Sequence, residues 1–196
     1  LLYREVLFSD PEHGINQEEL MKEVLPDIIL LPGVGAQSIT WQETSGPRTD
    51  TPARILFPIF ITGDLNDQML LAMGRYRWEI CRRVQGTYWN DYRVKSLTAE
   101  YYDYLQFYKK NKDLSADAKD KLKAALQHAR NNFREVFVAD YVNWIKYESQ
   151  GSFRLNKLTR DILVRYCPFS REVRTELNNN PLFQNAFNKL ELDNKK

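Results

Sequence analysis

Residues 116–149 read ADAKDKLKAALQHARNNFREVFVADYVNWIKYES, and this stretch decides the fold. Apolar side chains recur in it every three or four residues, which is the spacing of one face of an α-helix. Ser115 precedes the stretch as a helix N-cap, and Gly151 follows it as a terminator. The pattern predicts one helix over residues 116–149, about 50 Å long, which we expect to be the spine of the molecule.

Residues that break helices are concentrated in the first third of the chain. Six of the eight prolines and five of the eight glycines lie in residues 1–63, and Gly151 is the single glycine after Gly86. Proline and glycine mark turns and irregular backbone. Their distribution therefore predicts a turn-rich first third followed by a helical remainder.

The first 63 residues are predicted to form a small sheet with loops. The strand candidates are residues 2–8, 27–31, 38–43 and 54–62. Residues 27–31 form an apolar run bounded by Pro32, which favours a buried strand. Residues 16–25 predict a short helix. Pro58 predicts a sheet edge or irregular backbone within the last strand, because proline cannot donate a ladder hydrogen bond.

Beyond residue 63 the apolar residues follow the helical period. Besides the central helix, the predicted helices are residues 64–86, 98–108, 155–166, 170–177 and 180–190. The predicted fold class is α-rich α+β, with the α/β portion of residues 1–63 packed on a multi-helix array. We expect a single domain over residues 1–196, with residues 64–196 as its helical subregion. The start at Leu1, without Met, indicates a piece of a larger protein.

Composition and charge exclude several classes of protein. Hydrophobic residues make up 43% of the chain and the net charge is +2, so the chain is globular and its overall field is too weak to attract nucleic acid or membrane. No apolar run reaches the ~20 residues of a membrane span. Cys81 and Cys167 are expected to be ordinary thiols in a reducing compartment, which predicts a soluble, cytoplasmic protein.

A metal or cofactor site is not expected. His13, His128 and the two cysteines lie far apart in sequence, and no pair has ligand spacing. Gly33 and Gly35 lack the rest of a dinucleotide or phosphate-binding motif, and we interpret them as a turn between strands.

Asp140 is the most unusual charged residue, because the helical pattern places it on the apolar face of the central helix. A buried carboxylate must be paired, hydrogen-bonded or protonated. Arg77 lies at the edge of the apolar stripe of the first long helix. We therefore predict a buried ion pair between Arg77 and Asp140.

Two further sets of residues are candidates for contact with a partner. The basic surface comprises Arg154, Lys157, Arg160, Arg165, Arg171 and Arg174. The loop contacts comprise Trp41, Glu43, Arg54, Trp89 and Arg93. Clustered basic side chains suit an acidic partner, a phosphate backbone or a membrane surface, and basic residues interleaved with aromatics suit single-stranded nucleic acid.

The sequence holds no reactive constellation, so we expect a non-enzymatic helical interaction or scaffold domain of a larger soluble protein. Its partner would be another protein or a neighbouring domain. One alternative is a nucleic-acid-binding domain that uses the basic surface and the Trp89 region. Another is an enzyme with a pocket between the sheet and the helices, where Asp140 or Glu43 is the acid or base and Arg54 or Arg77 binds an anionic group.

Overall fold

The computed structural model describes residues 26–42, 51–169 and 171–193. The predicted strand at residues 2–8 and the predicted helix at residues 16–25 lie outside these ranges. The strands are β1 (Asp27–Gly35), β2 (Ile39–Trp41) and β3 (Arg54–Ile61). The α-helices are α1 (Leu65–Gln85), α2 (Leu97–Phe107), α3 (Ala116–His128), α4 (Phe133–Lys146), α5 (Lys157–Tyr166), α6 (Arg171–Leu177) and α7 (Pro181–Asp193). The predicted α-rich α+β fold is confirmed.

The three strands form one sheet in the order β1-β3-β2, with β1 parallel and β2 antiparallel to β3. Pro58 lies in β3, which is the central strand, so its predicted edge position is wrong for the sheet as a whole. Pairing with β2 stops at Leu56, however, so Pro58 lies where β3 has one neighbouring strand among the described residues. The backbone there is irregular, as predicted: the register between β1 and β3 shifts after Leu31, which pairs with Pro58.

The interpretation of Gly33 and Gly35 as a turn between strands is wrong, because both glycines lie within β1. Pro32 and Gly33 form a bulge in β1. Leu31 pairs with Pro58 and Val34 pairs with Phe60, so a step of three residues in β1 lies opposite a step of two residues in β3. A Cβ atom on Gly35 would approach Pro58 to 3.2 Å, so a side chain at this position would crowd the neighbouring strand.

The single helix predicted over residues 116–149 is wrong, because the structure has two helices, α3 and α4, in its place. Arg130 and Asn131 have left-handed backbone angles, with φ of 52° and 59°. Asn132 Oδ1 then accepts a hydrogen bond from Arg134 N at 3.1 Å, which begins α4. Asparagine tolerates the left-handed region and caps helices well, and these two preferences outweigh the continuous apolar period.

The other predicted helix boundaries follow from capping residues. The side chains of Asp64, Ser96 and Ser115 accept hydrogen bonds at the starts of α1, α2 and α3. Asn180 Oδ1 accepts from Leu182 N at 3.1 Å at the start of α7, where Pro181 is the first helical residue. These ends are the parts of the fold that local sequence chemistry determines most directly.

The chain forms two compact units, with the boundary between Val142 and Asn143 inside α4. The described part of the first unit covers residues 26–42 and 51–142. Its core contains Trp78, Tyr101 and Phe137, whose ring centroids lie 5.3 Å to 6.3 Å apart. The proposed organisation as one domain, with subregions 1–63 and 64–196, stays a prediction.

The described part of the second unit covers residues 143–169 and 171–193, and it has an aromatic core of its own. Trp144 and Phe169 stack with centroids 3.9 Å apart, and Phe183 packs against both rings. Trp144 also donates a hydrogen bond from Nε1 to Cys167 O at 2.8 Å. Across the described ranges, no helix combines the length and the hydropathy that crossing a membrane requires.

Candidate functional site

The sheet carries the largest concentration of exposed apolar side chains among the described residues. We define the apolar sheet surface as Ile28, Ile29, Leu30, Leu31, Val34, Ile39, Trp41, Ile59 and Phe60, which are 38% to 72% exposed. Residues 27–31 were predicted to form a buried strand. The strand is present, but its burial was predicted wrongly, because every residue from Asp27 to Val34 is exposed.

Strand pairing explains which side of the sheet is covered. Side chains of paired residues on neighbouring strands point to the same face. Ile55 and Phe57 of β3 are buried, and helix α1 packs on β2 and β3. Ile28 and Leu30 pair with these two residues and share their face, yet they are 60% and 62% exposed. The cover over this face therefore does not extend to β1.

The opposite face of the sheet is also accessible. Ile29 and Leu31 of β1, and Ile39 and Trp41 of β2, lie on this face. Trp41 pairs with Arg54, and both residues are exposed. The structure thus brings together two of the predicted loop contacts, although they lie at strand ends. Glu43, a third member of that set, lies outside the described residues.

The remaining predicted loop contacts, Trp89 and Arg93, follow the end of α1. The guanidinium of Arg93 donates from Nη2 to Asp91 Oδ2 at 2.6 Å, and this hydrogen bond lowers the pKa of Asp91 to about 2. Trp89 is half-buried, and the guanidinium of Arg82 lies over its ring at 4.7 Å. Arg93 and Arg82 thus have an acidic and an aromatic partner, respectively.

Asp140 is half-buried in α4, and its partner is the hydroxyl of Tyr101, which donates a short hydrogen bond to Oδ2. Burial raises the pKa of Asp140 to about 6, and the Tyr101 hydrogen bond opposes this shift. Arg77 is 2% exposed in α1. Its predicted pairing with Asp140 stays a prediction, and the contact that the structure gives for the Asp140 carboxylate is with Tyr101. The sequence identified the unusual carboxylate but not the hydroxyl that contacts it.

The predicted basic surface contains one residue that faces inward. Arg160 is 7% exposed and donates from Nε to Glu148 Oε2 at 2.7 Å, while Glu148 is completely buried. Glu148 Oε1 also accepts from the backbone N–H groups of Arg154 and Leu155 at 2.7 Å and 2.8 Å. Every carboxylate oxygen is thus hydrogen-bonded, and Arg160 belongs to a structural ion pair instead of a contact surface.

The other basic residues with described side chains are more accessible. Lys157 and Arg154 are exposed, although the guanidinium of Arg154 lies over the ring of Tyr147 at 3.7 Å. Arg165 and Arg174 are half-buried. Arg171 is the first residue of α6, and its side chain lies outside the description. Part of the predicted surface therefore stays available for contact with a partner.

Other reactive chemistry was not expected from the sequence. Among the described residues, no group of three or more His, Cys, Asp or Glu side chains is arranged to hold a metal ion. Cys81 Sγ lies 3.5 Å from Thr98 Oγ1 in the contact between α1 and α2.

Comparison with known proteins gives one match to a family. Residues 86–196, more than half of the chain, match the family described as "Domain of unknown function (DUF8509)", so the chain belongs to this family. The matched region begins after α1 and therefore contains none of the three strands. No curated protein and no solved structure gives a significant match.

Proposed function

We propose that this DUF8509 member is a non-enzymatic interaction domain that binds an extended segment of a protein partner along strand β1. The observation that carries the proposal is the exposure of β1 on both faces. A long apolar edge strand in water is a template for pairing with another strand. This proposal assigns the contact to the sheet, whereas the sequence led us to expect a helical contact surface.

The edge itself is suited to receive a strand. β1 is the outer strand of the sheet that the described residues form, so its backbone groups on one side have no neighbouring strand there. Residues 27–35 contain no Lys or Arg, the residues that commonly protect such edges from pairing. The bulge at Pro32 and Gly33 limits regular pairing to residues 27–31.

The size of the apolar sheet surface also fits a protein interface. With ~150–200 Å² for each fully exposed large side chain, its nine members present on the order of 800 Å². A standard interface buries about 800 Å² on each partner. The partner segment is expected to be extended and apolar, with branched side chains opposite Ile28 and Leu30.

The charged side chains support binding over catalysis. Asp91 and Glu148 pair with Arg93 and Arg160, respectively, and Asp140 accepts from Tyr101. Such pairing is typical of structural networks. For the location of the protein we infer the cytoplasm, because Cys81 and Cys167 form no disulfide with each other.

Site-specific photocrosslinking in cells tests the proposed function. A benzophenone side chain is placed at Leu30 in the full chain, and as a control at Val84, which is 72% exposed on α1. The proposal predicts an adduct with another protein from position 30, through an extended apolar segment, and none from position 84. Ile28→Lys should abolish the adduct, because a charge on this edge opposes pairing.

Four outcomes would overturn the proposal. An adduct of two copies of this chain would show that the edge serves self-association. A crosslink to residues 1–25 or 43–50 of the same chain would show that the protein covers its own edge. Equal adducts from positions 30 and 84, or none from either, would show that β1 is not a specific contact.

A further inference from the structure

A cavity of about 400 Å³ lies among the helices of the first unit. It is formed by the second half of α1, the turn that follows it, α2 and the start of α4. Its volume falls within the range of about 300–1,000 Å³ that is typical of small-molecule sites. No part of the proposed function uses this cavity.

One wall of the cavity is aromatic. Trp89, Tyr102 and Phe133 line it, and each ring is half-buried. The centroids of Trp89 and Tyr102 are 5.5 Å apart, and those of Tyr102 and Phe133 are 4.9 Å apart. Their planes are inclined by 81° and 56°, so a flat ligand would stack on the face of one ring while the other rings pack against its edge.

Charged side chains form another part of the cavity lining. Glu79 is 4% exposed and shares its two oxygens between two arginines. Arg134 Nη1 donates to Oε1 at 2.8 Å and Arg82 Nη1 donates to Oε2 at 3.1 Å. Arg134 also pairs with Glu135, which in turn pairs with Arg75, so the connected network of three guanidinium groups and two carboxylates carries one excess positive charge. Asn131 and Asn132, at the rim, contribute amide groups without charge.

Part of the hydrogen-bonding capacity of these arginines is not used within the protein. Arg82 Nε is buried and has no hydrogen-bond partner among the described residues. Arg134 uses Nε and Nη1 for Glu135 and Glu79, which leaves Nη2 for another acceptor. Arg134 Nη2 is therefore the donor that a ligand oxygen would take, whereas Arg82 Nε is too enclosed to contact a ligand, so Arg82 would act through its positive charge.

The same contacts argue against a cationic ligand. Aromatic cages for ammonium groups combine ring faces with an available carboxylate. Here both oxygens of Glu79 accept from arginine, and the guanidinium of Arg82 already lies over the ring of Trp89 at 4.7 Å. The place that a ligand cation would take is therefore filled by the protein itself.

We propose that this cavity binds a small anionic ligand with a flat ring, whose carboxylate or phosphate is bound by Arg82 and Arg134. The ring would lie against the aromatic wall, and the anionic group would neutralise the excess charge. Guanidinium groups match both carboxylate and phosphate oxygens, so the two kinds of ligand share this chemistry.

Isothermal titration calorimetry on the full chain tests the proposal with five probes. AMP and 2-naphthoate carry a ring with a phosphate or a carboxylate, adenosine carries only the ring, inorganic phosphate carries only the anion, and benzyltrimethylammonium carries a ring with a cation. We expect AMP, 2-naphthoate or both to bind at least about tenfold more tightly than the three other probes. Which of the two binds identifies the anionic group.

Variants place the binding in the cavity. Arg82→Gln is expected to weaken binding by about tenfold or more, because it removes a charged donor. Lys121→Gln is the matched control, since it removes the same charge from an exposed position of α3. If Arg82→Gln does not fold, Arg82→Lys replaces it, because it keeps a charge beside Glu79 but lacks the planar guanidinium.

The proposal fails if the ring-anion probes bind no better than adenosine or phosphate. It also fails if benzyltrimethylammonium binds most tightly, or if binding is the same in the arginine variant and in Lys121→Gln. Loss of binding in both the Arg82 variant and Lys121→Gln would show that binding depends on the overall charge of the protein and would contradict a site in the cavity.

Discussion

Asp140 shows how a single residue of this chain converts burial into a dependence of stability on pH. Its folded-state pKa is about 6, against an ordinary value of 3.8, so the folded protein holds this proton more tightly than the unfolded chain does. The stabilisation is complete below the unfolded pKa and is lost as the pH rises through about 6. The full effect is ~2–3 kcal/mol in the free energy of unfolding.

The stability of the wild-type protein should therefore decrease between pH 4 and pH 7, and Asp140→Asn is expected to remove this decrease. The amide is similar in size, carries no charge and still accepts from Tyr101. Urea denaturation at a series of pH values measures this change, and Asp120→Asn, at an exposed position of α3, is the control. A decrease of the same size in Asp140→Asn would show that another group is responsible.

Arg160 and Lys157 belong to the same helix and to the same predicted basic surface, but the structure gives them different roles. Arg160→Met leaves Glu148 buried with an unpaired charge, which is expected to cost ~3–5 kcal/mol of stability. Lys157→Met changes an exposed side chain, and we expect an effect within ~0.5 kcal/mol. Equal effects in thermal denaturation would contradict the assignment of Arg160 to a structural ion pair.

The sequence predicted the unusual position of Asp140 but not the partners of these charged residues. Helical periodicity indicates on which face a residue lies, and this was sufficient to single out Asp140. It does not indicate which side chains of other elements meet that face. Tyr101 is 39 residues from Asp140, and Glu148 lies in a short turn outside the predicted helix that contains Arg160.

Among the secondary-structure elements, the sequence correctly predicted which segments are helices or strands and where α3 begins. It did not predict that the long apolar pattern is interrupted between two helices. Ser115 was correctly predicted as the cap that begins α3, because capping is a local interaction. The apolar period runs unbroken through Asn131 and Asn132, so periodicity alone joined α3 to α4. The local preference of asparagine for left-handed and capping backbone carried the contrary information.

Gly74 allows α1 and α4 to approach closely. A Cβ atom there would lie 3.0 Å from the ring of Tyr141 and 3.4 Å from Val138, and both neighbours are about 1% exposed. Alanine normally stabilises the interior of a helix by about 1 kcal/mol relative to glycine. Because these buried neighbours cannot move freely, we expect Gly74→Ala to destabilise the protein by ~1–3 kcal/mol instead.

Chemical denaturation of Gly74→Ala measures this balance between helix propensity and packing. Ala139→Gly is the control, because Ala139 is exposed on α4 and reports propensity alone, with an expected cost of about 1 kcal/mol. Stabilisation in Gly74→Ala would show that the contact between the two helices is looser than the structure indicates.

At the scale of the whole molecule, the distribution of helix breakers was sufficient to predict the fold class. The apolar sheet surface was not predicted, because an apolar run of strand length has the same sequence whether or not other residues cover it. Residues 27–31 were therefore expected to be buried. The structure leaves them exposed, and a protein that exposes such a strand is expected to function through contact with a partner.

Amide hydrogen exchange, resolved by residue in the purified monomeric chain, measures whether the edge of β1 is open. In the isolated chain, alternate amides of residues 28–31 should face the open edge of β1 and exchange rapidly. Binding of a partner strand should slow the exchange of these amides by at least about 100-fold. Amides of residues 55–57 in the central strand should be protected throughout. Equal protection of β1 and β3 in the monomer would show that the edge is already covered and would rule out β1 as a binding strand.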